Sequence, residues 1–444
     1  MIRAGLSVAR LNMAHGKHED HARRIETARN AAKRAGREIA IMGDIAGPKL
    51  RIGTIKEGKV QLVNGKTVVL TARPVEGTAE ELNVSEPAVL RDIRAGEPIF
   101  LADGSLELRA IETRPQEVAC RVVNGGLLLP RKGINLPRTK LRLPALTPQD
   151  IQDLRFAVKA GFDALALSFV RDVEDLRLAR KHLGRSRIPL IAKIEKREAT
   201  RQLPAILDEA DGAMVARGDL AVETSYEEVP LLQKRIIRIA NERAKPVITA
   251  TQMLKSMVES PHPTRAEAGD VANAILDGTD AVMLSEETAM GSYPVKAVET
   301  MARIARHAEA ALDPAVFLAR ARDERNIAME VSEGAVHVAR SLHAAAIVTP
   351  TGGGATSRFV ARLRPNIPVL ALTRRLSTAR FLNLIWGVEP MHTPDLGDLE
   401  ATLKLGLDHL KRMNRVRAGQ HVVFTAGFPA GGQASNLMTV QRVP

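Results

Sequence analysis

Leu190-Ile191-Ala192-Lys193-Ile194-Glu195 is a short apolar run that closes on a lysine and a glutamate two positions apart. Residues two apart on a strand point the same way, so both charges would face one side at the strand's C-terminal end. The same grammar recurs along the chain. Residues 6–11 lead into Asn12, 39–42 into Asp44, 164–167 into Ser168, 213–216 into Asp219, 247–250 into Thr251 and 281–284 into Ser285. Continuous apolar runs with chemistry at their C-terminal ends are how a (β/α)₈ barrel builds a site. Seven such strands are legible. An eighth is expected before residue 6, where the chain leaves room for none.

The connecting helices carry their own signals. Residues 19–35 are charged on one side and rich in Ala and Ile on the other, with Gly36 as a stop. Thr147-Pro148-Gln149-Asp150 places a capping side chain before a proline, and Thr264 with Glu267 repeats the cap on a segment closed by Gly278. Residues 53–135 have another texture. Short β-rich runs at 60–63, 67–70, 98–101, 106–111 and 118–123 are separated by Gly, Asn and Asp, the pattern of a small β domain inserted in a barrel loop. Such an insert at the catalytic face is expected to act as a lid. Beyond residue 317, runs at 344–348, 367–372 and 421–424 alternate with helices such as 328–342, an open α/β domain. The expected division is 1–52 and 136–317 for the barrel, 53–135 for the lid and 318–444 for the C-terminal domain.

Composition narrows the function. The 444 residues carry Lys+Arg 64 against Asp+Glu 51, a net +13, with 45% hydrophobic and 3% aromatic residues. So few aromatic rings give little material for stacking nucleic-acid bases, and the arginines form no basic tail, so the charge points to phosphorylated metabolites. No apolar run reaches the length of a membrane span, and 1–16 lacks the layout of a secretory signal. The single Cys120 excludes an internal disulfide and fits a cytoplasmic setting, with its thiol as packing.

Three residues at the strand ends suit phosphoryl chemistry. Glu195 and Asp219, on neighbouring strands, can share a Mg²⁺ (or Mn²⁺), which takes few protein carboxylates, and Lys193 beside them would neutralise a phosphoryl group in transfer. The bland reading is a structural ion pair at the barrel mouth.

Lys193-Ile194-Glu195, residues 214–220, Ile248-Thr249-Ala250-Thr251-Gln252-Met253-Leu254, Pro263-Thr264-Arg265-Ala266-Glu267 and residues 277–285 together resemble the pyruvate kinase family. Arg10-Leu11-Asn12, His15-Gly16, Gly47-Pro48 and residues 132–137 extend the resemblance in the same order over nearly the whole chain. It implies a barrel with a β lid and a C-terminal α/β domain, and phosphoryl transfer from phosphoenolpyruvate to ADP, giving pyruvate and ATP. By resemblance, Glu195 and Asp219 hold Mg²⁺, Lys193 stabilises the phosphoryl group and Arg10 binds the phosphate. Gly218, Thr251 and Ser285 border the substrate, and Thr251 lies where the proton is delivered. Asn12, His15, Arg51, Lys132 and Asp103 fall on the nucleotide side. A homotetramer is implied as well. Thr349, Thr351, Gly352, Gly353 and Thr356, between a strand and a helix, match the place of a sugar-phosphate effector, and the glycines serve equally as a turn.

The departures are specific. In the monovalent-cation region, Asn12, Asp44 and Lys49 stand in Asn12-Met13-Ala14, Asp44-Ile45 and Gly47-Pro48-Lys49, where potassium-dependent members have two further oxygen ligands and an acid in place of Lys49. A fixed ammonium there implies activity without K⁺. Ala102, Lys196, Ala221 and Glu286 also depart, and Glu286 stands where many members have glycine. If that backbone needs a positive φ, Glu286 is strained by about 1 kcal/mol or more. The family's opening strand and its Thr-Ile-Gly-Pro segment are expected to lack a counterpart before Met1. Two alternatives follow, a catalytically impaired paralogue with a ligand-binding or regulatory role, and a barrel lyase or aldolase, which would not need the inserted domain or Lys132.

Overall fold

In the computed structural model, which describes residues 1–319, 326–427 and 435–444, seven parallel strands pair in chain order. They are Val8–Asn12, Ala40–Ile45, Ala164–Leu167, Leu190–Ile194, Gly212–Ala216, Val247–Ala250 and Ala281–Val282. Among the described residues the first and last do not pair with each other. Burial follows this order. The five inner strands are buried at every position, whereas Val8–Asn12 and Ala281–Val282 are half-buried. Strands covered on both faces must be apolar throughout, which is why these runs do not alternate.

The helices begin and end where the capping signals lie. Thr147 and Thr264 each accept a hydrogen bond from the amide three residues on, and Asp150 and Glu267 return it. Gly36 and Gly278 close the helices His18–Ala35 and Arg265–Asp277 in the left-handed conformation. Gly278 is needed twice over. Its φ is 103°, and a Cβ would meet Asn241 at 2.6 Å and the Phe317 ring at 2.7 Å.

The inserted lid has a six-stranded sheet in the order Ile134–Asn135, Pro98–Leu101, Leu106–Arg114, Glu117–Asn124, Thr67–Thr71, Glu81–Asn83, and a small ribbon of Val60–Leu62 with Gly126–Leu128. Its core of Leu70, Leu82, Leu101, Leu108, Val118 and Cys120 is separate from the barrel's. The chain enters and leaves it side by side, through a bridge between Arg51 and Gly133. Burial pushes the Cys120 thiol up to about 12. Thiolate is the reactive form, so native Cys120 is expected to react with a disulfide reagent at pH 8 at least about a thousandfold more slowly than a free thiol, and at full rate once unfolded. Rapid labelling of the folded chain would contradict this packing.

The C-terminal sheet runs Val388–His392, Val369–Thr373, Ala346–Pro350, His421–Ala426, Leu437–Arg442, with only the last pair antiparallel. It is seated on the barrel by an apolar cluster that joins Met42, Ile191, Met214 and Ile248 of the strands to Phe381, Leu384 and Ile385. At the edge of this seam the buried Arg364 donates to Asp280 at 3.0 Å and to the Gly278 carbonyl. It lies 5.0 Å from the ring of Trp386, whose indole donates to Glu309. No helix among the described residues is long and apolar enough to cross a membrane.

Candidate active site

The strand ends converge on Lys193. Its ammonium donates to Ser168 Oγ at 2.7 Å and lies 2.9 Å from Glu195 Oε1 and 3.2 Å from Asp44 Oδ1. Asp44 holds Arg10 on its other oxygen, at 2.6–2.7 Å. A cation chain Arg10–Asp44–Lys193–Glu195 therefore crosses four barrel strands, with Asp44 and Glu195 both 1% exposed. Burial would lower the Lys193 pKa, but Asp44 and Glu195 outweigh it and raise it. Burial would likewise raise the Asp44 pKa, and Lys193 and Arg10 together bring it down. Lys193 is thus a fixed positive charge.

Glu195 is raised instead, first by burial and further by Asp219, against the pull of Lys193. Two carboxylates close enough to repel one another suit a divalent cation. Among the described residues no group of three or more His, Cys, Asp and Glu side chains is gathered for a metal. Two carboxylates without thiol or imidazole fit Mg²⁺ or Mn²⁺, which complete their shells with water and substrate.

Beside Asp219, the Gly218 amide donates to Thr251 Oγ1 at 3.0 Å. Thr251 has φ 71° and Gln252 has φ 54°. A β-branched residue in the left-handed region is strained, and it persists only where its surroundings hold it. Arg217 does so, donating to the Thr251 and Ala250 carbonyls while both oxygens of Asp270 grip its guanidinium. Ser285 lies beyond the last strand, its amide donating to the buried Glu287, whose other oxygen accepts from Leu254. Glu287 thereby ties the ends of two neighbouring strands together.

The lid meets the barrel at the turn Ala102–Asp103–Gly104, all at positive φ, where a Cβ on Gly104 would lie 3.1 Å from Val222. Lys49 spans the two, 3.4 Å from Asp219 and 3.9 Å from Asp103. Lys49 also shares a cleft of about 600 Å³ with Ala14 and Arg51. The rest of the nucleotide side is looser. Asn12 caps its own loop by accepting from the Ala14 amide, Arg51 donates to the Arg131 carbonyl, and His15 and Lys132 are exposed.

Two expectations are corrected by this geometry. Glu286 opens the short helix Glu286–Ala289 without a positive φ and pairs with Lys255, so it carries no backbone strain. Lys196 answers Glu223 at 2.8 Å, and Ala221 sits buried within the helix Arg217–Glu223. In the C-terminal loop Thr349 is turned into the core, bonded to Ser357 and the Leu370 carbonyl, so its hydroxyl is not offered to a phosphate. Thr351 accepts from the Gly354 amide and Thr356 pairs with Ser435, while Gly352 and Gly353 are exposed. Phe169, Arg217 and Glu287 carry roles that the sequence did not reveal, while Ser168, placed at a strand end by its apolar run, holds Lys193. Phe169, at φ 55°, turns its amide onto Glu195 at 2.7 Å.

Residues 1–298 match the family model described as pyruvate kinase, barrel domain, and 329–441 match pyruvate kinase, alpha/beta domain. The chain belongs to the pyruvate kinase family. Pyruvate kinase of Geobacillus stearothermophilus is 45% identical over 451 residues, covering 100% of this chain and 77% of the relative. That of Staphylococcus aureus is 41% identical over 450 residues with the same coverage. A solved pyruvate kinase structure from Cryptosporidium parvum superposes with a TM-score of 0.94 at 35% identity, covering 100% of this chain and 92% of that one. The chain is therefore an enzyme of the pyruvate kinase type, a transferase of glycolysis, for which the family implies phosphoenolpyruvate and ADP as substrates.

Proposed function

We propose that this chain transfers the phosphoryl group of phosphoenolpyruvate to ADP with Mg²⁺ and without K⁺. The observation that carries this reading is Lys193, a buried fixed cation held by Asp44, Ser168 and Glu195 beside Asp219 and the Gly218–Thr251 pair. Mg²⁺ would be held by Glu195 and Asp219, where it supplies charge neutralisation to the phosphate oxygens. Lys193 adds a positive charge that needs no reorganisation during transfer, because its three partners already fix it. Arg10, anchored on Asp44, presents the rest of its guanidinium to the substrate phosphate. The Gly218 amide and Thr251 hydroxyl suit the substrate carboxylate, and by the family resemblance Thr251 would pass a proton to the enolate through water. Asp103 and Lys49 bring the lid to the metal carboxylates, and Arg51 faces the nucleotide cleft.

Independence from K⁺ rests on Ala14, Ile45 and Lys49. Two oxygen ligands are absent and an ammonium stands on the wall of the same cleft as Ala14. Pyruvate formation in a coupled assay with Mg²⁺ is expected to proceed at equal rates in K⁺ and tetramethylammonium buffers and to stop on chelation. A rate that collapses without K⁺ would remove the role given to Lys49. The impaired paralogue rests on Glu286, Ala221 and the missing opening strand; neither residue has a positive φ, while among the described residues the barrel sheet has seven strands whose first and last do not pair.

A further inference from the structure

The lid has a core of its own, so Asp103 is held over the barrel by the contacts between the two units and not by a shared interior. Two of those contacts fall on consecutive residues at the end of the helix Arg217–Glu223, whose first turn carries Asp219. Val222 lies against the lid turn at Gly104. Glu223 is buried, and its Oε1 accepts from the Asn135 side-chain amide at 3.0 Å and from Lys196 at 2.8 Å.

Asn135 ends the edge strand of the lid sheet. It pairs with Phe100, Ile134 pairs with Leu101, and the Ala102 amide donates to the Gly133 carbonyl at 3.0 Å. The strand Pro98–Leu101 then runs directly into the turn Ala102–Asp103–Gly104, so a shift of Asn135 is passed along this short ladder to Asp103. Among the described residues the buried Asn135 side chain makes one hydrogen bond, the one to Glu223, and its Oδ1 has no partner. A buried amide that bonds nothing in its own domain serves the lid core less well than an apolar side chain would, and its bond is a link between domains. On the barrel side Lys196, next in sequence to Glu195, supplies the counter-charge that Glu223 needs when buried.

We infer that Glu223 is a positioning residue for the nucleotide, fixing the lid turn through Asn135 so that Asp103 meets the ADP beside Asp219. The inference rests on the reading of this site as one for phosphoenolpyruvate and ADP. The groups given to phosphoenolpyruvate, Arg10, Lys193, Gly218 and Thr251, all belong to the barrel, and none of them is bonded to Asn135 or Glu223. Loss of the link should therefore bear on ADP and spare phosphoenolpyruvate.

The test combines steady-state kinetics with amide hydrogen exchange on the full chain. Asn135→Ala removes the link and leaves the Lys196–Glu223 pair in place. In it KM for ADP is expected to rise about tenfold, the scale of one lost hydrogen bond to a charged group, with KM for phosphoenolpyruvate unchanged. Exchange in the segment 98–104 should quicken while strands 190–194 and 247–250 keep their rates. Glu223→Ala should raise KM for ADP at least as much, and adding Asn135→Ala to it should raise it no further, because the two act through one bond. If Asn135→Ala fails to fold, Asn135→Leu, of similar volume, carries the same expectations. A parent chain that forms no pyruvate would count against the reaction assigned above, and the link from Glu223 to Asp103 would still be decided by exchange. An active parent whose folded variants keep its KM for ADP, an equal rise in both KM values, or unchanged exchange over 98–104 would overturn the inference.

Discussion

Lys193→Met is expected to lower kcat for pyruvate formation by about 10³–10⁵-fold, the range for removing a cation that acts on a phosphoryl group in flight. The loss should fall equally on kcat and kcat/KM, because the charge acts mainly in the transition state. Methionine keeps most of the stem, so packing against the inner strands survives. The variant leaves Asp44 with Arg10 and the Ser168 hydroxyl and removes the ammonium between two buried carboxylates, so its folding must be read separately by circular dichroism. A folded Lys193→Met chain that keeps more than a tenth of the parent turnover would deny Lys193 its role.

Asp44→Ala should be nearly as damaging, by another route. Asp44 is buried and accepts from Arg10 on one oxygen and from Lys193 on the other. Its removal leaves two cations face to face with one carboxylate, Glu195, to share. Breaking a buried ion pair from one side costs about 3–5 kcal/mol, so the apparent Tm at fixed scan rate should fall by roughly 5 °C or more. Activity should drop at least about a hundredfold, since neither Arg10 nor Lys193 keeps its position. Asp44→Asn should recover little of either, because an amide keeps one acceptor oxygen in place of two and turns its NH2 donor toward one of the two cations. Unchanged melting and turnover in Asp44→Ala would show that the chain of charges is incidental.

Much of this site could be read from the sequence because a barrel strand delivers its chemistry at a fixed place. Asp44, Lys193, Glu195, Asp219 and Thr251 each follow a continuous apolar run, and the runs were visible without knowing their partners. The partners were not visible. Asp270 serves Thr251 through Arg217, and Glu287 joins Ser285 to Leu254, contacts made by tertiary closure and by no local pattern. Positive φ at Phe169 and Thr251 runs against the residues' own preferences, so composition could not disclose it. Glu286 was misread for the converse reason: an inference about glycine assumed a turn where a helix begins. The edge strands Val388–His392 and Leu437–Arg442 were also missed, being half-buried and less apolar than their neighbours.

The bridge between Arg51 and Gly133 bears on how the chain folds. Met42 and Ala164 must pair across the whole inserted domain, a closure whose entropic cost grows with the logarithm of the loop. Once the lid has formed its own core and joined Arg51 to Gly133, the free loop shrinks to roughly a third of its contour, lowering the cost by about 1 kcal/mol. Early assembly of the insert therefore accelerates closure of the barrel around it, and a mutation that delays the lid would slow a pairing that it never touches.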